Sequence, residues 1–362
     1  MRDNRPNKQT VQRKQLSARM NAFLKFVPIV CAIGVAAAHC RMDSPPMGKG
    51  EVWVANAVSY GVAPATVPIF LMLSGFLFFL TADSMRSVAQ KMKRRIFTVL
   101  IPFLAWSTAY YVLFNAKASL LGSTEMEADW SPLGILKGIV FYKYAYAMWF
   151  MFILIGLVIL SPVIYWILKN RAAVIAVLAI AAAASVLQSV LQLNLKATVD
   201  GDDKALFAWN CFLSYFFGCA AARSNYEKWI DRLVRVPYPV VIAGLAVTGT
   251  LDTMIFAGFI PCFNERIAVP FVTVLTLILF LKVADRHPDM KLGFLPSIPT
   301  MVVYGIHPLV ALAVLKVLER LPIPMMAVYL LRVILTLAVS CGAAVLIRKI
   351  KPFNFLFNGN RK

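Results

Sequence analysis

Charged side chains are few in this chain, 15% of its 362 residues against 60% hydrophobic. Acidic ones are scarcer still, 17 against 37 Lys and Arg, which leaves a net charge of +20. In a soluble protein that excess would suggest nucleic acid, but no polar stretch here is long enough to fold as a soluble domain. Nucleic acid is therefore not an expected partner. None of the six cysteines sits in a CxxC pair, so they read as small apolar packing residues and no metal site is expected. An internal repeat of the kind common in transporters is also missing.

What the chain has instead is long apolar runs. Stretches near 24–40, 62–81, 96–114, 146–168, 172–191, 206–222, 236–255, 267–283, 299–318 and 325–347 approach the roughly 20 residues that cross a bilayer as helix. Their apolar residues are continuous rather than alternating, which argues against barrel strands. The expected fold class is an all-α polytopic membrane protein, a bundle of about ten transmembrane helices. Assigned alternately, the tails and inner loops carry 26 Lys and Arg against 6 Asp and Glu, and the outer loops 10 against 10. The whole excess then falls on one side, cytoplasmic by the positive-inside rule, and both termini are expected there.

Residues 1–20 read as a basic cytoplasmic tail, a disordered and lipid-contacting arm. Residues 21–350 make one membrane domain, and 351–362 a second basic cytoplasmic tail. The apolar run 26–38 behind a basic segment looks like a signal peptide, but removing it would put basic loops on the wrong side. Cys40 and Cys262 both fall near the outer face, within reach of a disulfide.

His39 ends that first apolar run, near the outer end of its span. Ionisable groups inside a membrane are functional candidates, and a group titrating near neutrality can take and return a proton. A histidine bonded to a neighbouring helix is the plainer alternative. On the cytoplasmic side, Lys91, Lys93, Arg94 and Arg95 lead straight into the helix that begins at Ile96. Such a cluster grips a polyphosphate through bidentate Arg, compact Lys charge and helix-start donors, or it serves topology and anionic lipid. Lys25 opens the first span, about 21 Å of helix before His39. A basic entrance inside and an imidazole near the outside suit a donor with a phosphorylated head and a long, thin reactive arm, the shape of an acyl-CoA. Gly34, Ala36, Ala37 and Ala38 leave room for the arm, or serve close helix packing.

Further motifs follow in order: Val67-Pro68-Ile69-Phe70-Leu71-Met72-Leu73-Ser74-Gly75-Phe76-Leu77, then Lys93-Arg94-Arg95-Ile96 with Leu100-Ile101-Pro102 and Trp106. Met148-Trp149-Phe150, Leu160-Ser161-Pro162 and Tyr304-Gly305-Ile306-His307-Pro308 complete the series. Together with the early His39 they resemble the integral-membrane acyltransferase 3 family across nearly the whole chain. Lys25 stands further from His39 than the family's usual basic residue, and Lys91 replaces a common aromatic.

The resemblance implies an enzyme moving an acyl group, acetyl above all, from cytoplasmic acyl-CoA to a hydroxyl of an envelope carbohydrate or lipid-linked glycan. It also implies the cytoplasmic membrane of a bacterium, and polysaccharide-synthesis machinery as a partner. A transporter or flippase, or a non-catalytic subunit of a surface polysaccharide pathway, is the competing expectation. His39 is expected as general base or as acyl carrier. Lys93, Arg94, Arg95 and Lys25 are candidates for the CoA phosphates. Ser74 either meets substrate or bonds back one turn; Trp149 and Tyr304 line an acceptor pocket or anchor span ends. His307, beside a Pro308 that frees a carbonyl, orients a neighbour or shapes the site, from a shallower level than His39. Arg332 and Asp252, within spans, are expected to pair with each other or with loop charges.

Overall fold

The computed structural model describes residues 16–40, 61, 63–121, 128–190, 204–256 and 269–359. The basic arm before residue 16 and Cys262 lie outside them. Among the described residues all regular structure is helical. Continuously apolar runs satisfy their backbone in lipid as helix, each hydrogen bond made within the segment.

Helix α1 (Ala18–His39) starts at Ser17, whose hydroxyl accepts the Met20 amide. Helix α2 (Thr66–Phe79) follows, then α3 (Met85–Arg95), which passes through one π turn, Ile96–Leu100, into α4 (Ile101–Leu121). A short α5 (Pro132–Ile139) precedes α6 (Trp149–Ile159) and α7 (Ser161–Ile167). Next come α8 (Arg171–Val190), α9 (Lys204–Arg223), α10 (Tyr226–Leu233) and α11 (Tyr238–Phe256). The chain continues through α12 (Val269–Arg286), α13 (Thr300–Leu318), α14 (Met325–Lys349) and α15 (Lys351–Asn358).

Helix stands at each expected apolar stretch, yet the pieces are shorter and more bent than a row of straight spans. Length and composition qualify four described runs as membrane-crossing: Ala18–His39, Met85–Leu120, Thr300–Leu318 and Met325–Lys349. Two bent pairs raise the number to six, Tyr146–Ile159 with Ser161–Ile167 at 55° and Tyr226–Leu233 with Tyr238–Leu251 at 86°. The break inside 146–168 falls at Leu160, because Pro162 has no amide hydrogen to continue the ladder.

Small residues set the closest crossing. A side chain at Gly75 on α2 would collide with the Tyr215 carbonyl and with Cys219 of α9, and one at Gly218 on α9 with the Met72 carbonyl. Glycine at both positions lets the two backbones touch. At the start of α1, Arg19 reaches Glu227 (2.5 Å), Asp231 (2.7 Å) and Asp285 (3.3 Å), tying α1 to α10 and α12. Lys282 of α12 donates to the Val234 and Val236 carbonyls at 2.6 and 2.7 Å, capping the end of α10. Beyond residue 350, where the sequence reads as a tail, α15 packs on α4, α13 and α14. It ends at Gly359, whose φ of 69° and contact with the Phe97 carbonyl both require glycine.

Candidate active site

His39 is the last residue of α1. Its ring centre lies 5.0 Å from that of His307 on α13 and 5.3 Å from that of Tyr146, which meets it edge-on. The sequence reading sets His307 shallower than His39; the structure sets the two rings side by side. Helix α1 rises about 32 Å from Ala18 to His39, whereas α13 rises only about 11 Å from Thr300 to His307. The 3-10 turn Leu295–Ser297 ahead of α13 itself packs on α1, so α13 begins part-way along it.

Local sequence fixes the orientation of His307. Pro308 carries no amide hydrogen, so the Tyr304 carbonyl four residues back loses its helical donor. The Nδ1 of His307 stands 2.7 Å from that carbonyl. His307 is 2% exposed, and its Nε2 has no hydrogen-bond partner among the described residues.

Arg332 bridges the two helices that carry the imidazoles. It is 7% exposed on α14 and donates from Nε to the Ala311 carbonyl (3.1 Å) and from an η nitrogen to the Cys40 carbonyl (3.2 Å). Cys40 follows His39, and Ala311 lies one turn beyond His307, so one guanidinium joins the two helices that carry the imidazoles. The Asp252 side chain lies outside the described residues. Cys40 is a free thiol, 3.7 Å from the Thr336 hydroxyl.

The aromatic candidates pack around this pair. The Tyr304 hydroxyl donates to the Ala147 carbonyl, and its ring lies 5.9 Å from His307 and 5.7 Å from Phe150. Trp149 is half-buried, edge-on to Phe150 at 6.2 Å. Ser74 is half-buried beside Gly75, at the close α2–α9 crossing. The small residues before His39 are filled rather than open: Gly34 meets the Thr66 methyl, and Ala36 and Ala37 are buried. Tyr110 and Tyr146 had no part in the sequence assignment. The Tyr110 hydroxyl donates to the Gly305 carbonyl at 3.0 Å, fixing α4 to α13 next to His307.

The four cations divide. Lys91 donates to the Leu77 carbonyl at 3.5 Å and to that of Phe78, so it caps the end of α2. Lys93 and Arg94 are exposed and Arg95 is half-buried where the π turn begins. Continuous helix links them to the imidazoles: from Arg95 to Tyr110 is about 22 Å along its axis. Lys25 is exposed on α1. Ahead of α5, Asp129 is held below the usual carboxylate range by hydrogen bonds from the Ser131 hydroxyl and amide. It therefore organises the start of α5.

Apolar helices thus bring two imidazoles together, with cations one helix-length away. A family model described as an acyltransferase domain matches residues 21–347, and the chain belongs to that family, the acyltransferase 3 family. It is an acyltransferase of the integral-membrane class. No match is found among curated proteins or among solved structures.

Proposed function

We propose that the protein moves an acyl group, acetyl above all, from cytoplasmic acyl-CoA to a hydroxyl of an envelope carbohydrate or lipid-linked glycan. The observation that carries this reading is the contact between His39 and His307, one helix-length from Lys93, Arg94 and Arg95. A hydroxyl is a poor nucleophile until a base takes its proton. His39 takes it, the hydroxyl oxygen attacks the thioester carbonyl, the C–S bond breaks, and the proton returns to the thiolate.

Lys93, Arg94 and Arg95 hold the CoA phosphates at the cytoplasmic surface, with Lys25 as a further cation on that side. Tyr304, Trp149 and His307 shape the acceptor side, and Ser74 borders it. Ten spans with both termini cytoplasmic accommodate this path in a bacterial cytoplasmic membrane, next to the machinery that makes the polysaccharide. The test is incubation of the purified protein with radiolabelled acetyl-CoA and crude lipid-linked glycan. Label in the glycan supports the reading; label left wholly on CoA or released as acetate refutes it.

A further inference from the structure

The His307 ring makes one hydrogen bond and withholds another. A carbonyl only accepts, so the 2.7 Å contact with Tyr304 requires the hydrogen on Nδ1. The neutral ring therefore presents a bare lone pair at Nε2, buried and without a donor among the described residues. Around it, the Tyr304 hydroxyl donates to Ala147, the Tyr110 hydroxyl to Gly305, and the Arg332 guanidinium to Cys40 and Ala311. The ring facing it is His39, 5.0 Å away between centres, half-buried at the end of its helix.

We propose that His307 is a positioning residue for His39. Its Nε2 accepts the N–H of one His39 nitrogen and thereby leaves the other as the lone pair that meets the hydroxyl. The inference rests on the reading of His39 as base. It is the logic of a base oriented by a third group, with a tautomer-locked imidazole in place of the carboxylate. A carboxylate would bring a charge into the bilayer interior; a neutral imidazole gives the same direction without it. Catalytic hydrogen bonds often tighten only when substrate is bound, and Arg332 keeps the two helices in register for it.

Two amides separate this role from a structural one. His307→Gln places a carbonyl oxygen near the Nε2 position and can accept from His39. His307→Asn places its amide near the Nδ1 position and can serve only the Tyr304 carbonyl. The experiment measures kcat and the acetyl-CoA KM for the purified full chain and for His307→Ala, His307→Asn, His307→Gln and His39→Ala, each confirmed monodisperse. Expected is a loss of about a hundredfold in kcat for Ala and Asn with KM unchanged, and recovery to within about tenfold of the parent in Gln. Rescue by Asn instead of Gln, equal loss in all three, or full activity in Ala overturns the proposal. His39→Ala reads the underlying assignment separately. Its full activity would remove the base, whereas an inactive His39→Ala beside a fully active His307→Ala would remove only the partner.

Discussion

Gly305→Ala probes how tightly the site is held from below. A methyl at Gly305 would fall under 3.0 Å from three atoms of the Trp106 indole. That indole has no room to retreat: it is 4% exposed, its Nε1 donates to the Phe357 carbonyl at 3.2 Å, and its ring sits 4.7 Å from that of Phe357. The Gly305 carbonyl is also fixed, by the Tyr110 hydroxyl. Forcing a methyl into so close a fit costs about 1–3 kcal/mol. The strain leaves α13 to shift, and His307 is two residues away. A displacement of about 1 Å there is enough for about a hundredfold in rate. Thermal unfolding and acyl-transfer kinetics on the purified protein read the two effects, and both Tm and kcat should fall. Trp106→Leu in the same chain should restore part of each, because residues in contact are non-additive. Unchanged Tm and kcat in Gly305→Ala would refute the packing argument.

Three further variants address Arg332 and the basic cluster. Arg332→Met removes the donor to two buried carbonyls, each worth about 1–3 kcal/mol when left unsatisfied; thermal unfolding should register the loss and transfer should fall with it. Arg94→Ala combined with Arg95→Ala should raise the acetyl-CoA KM, whereas Lys91→Gln should leave KM unchanged and lower Tm, since Lys91 caps α2. A KM raised by Lys91→Gln alone would move the donor site toward that residue.

His39 stood out as a candidate because an imidazole after an unbroken apolar run has few reasons to be there. The helical nature of each apolar stretch was legible, since continuously apolar runs satisfy their backbone in lipid as helix. Depth was less legible: the partnership of His39 with His307 depends on how far along α1 the helix α13 begins, and that offset is set by packing between distant segments. Pro308 did signal a freed carbonyl, but the pattern does not say that the residue before it turns back to bond there. Arg332 was read through charge pairing, the usual fate of a buried cation. Two of its partners among the described residues, the Cys40 and Ala311 carbonyls, are backbone groups that no side-chain pattern announces. Lys91 looked like its neighbours Lys93 and Arg94, and only the end of α2 above it sets it apart. The small residues before His39 left two readings open, room for an acyl arm or close packing; Gly34 against the Thr66 methyl and the burial of Ala36 and Ala37 favour packing there.

The central claim, that His39 supplies the base, is tested most directly by His39→Ala. The protein should remain inserted, monodisperse and able to bind acetyl-CoA, and transfer of radiolabelled acetyl to the glycan should disappear. Transfer at the parent rate in that variant would contradict the account.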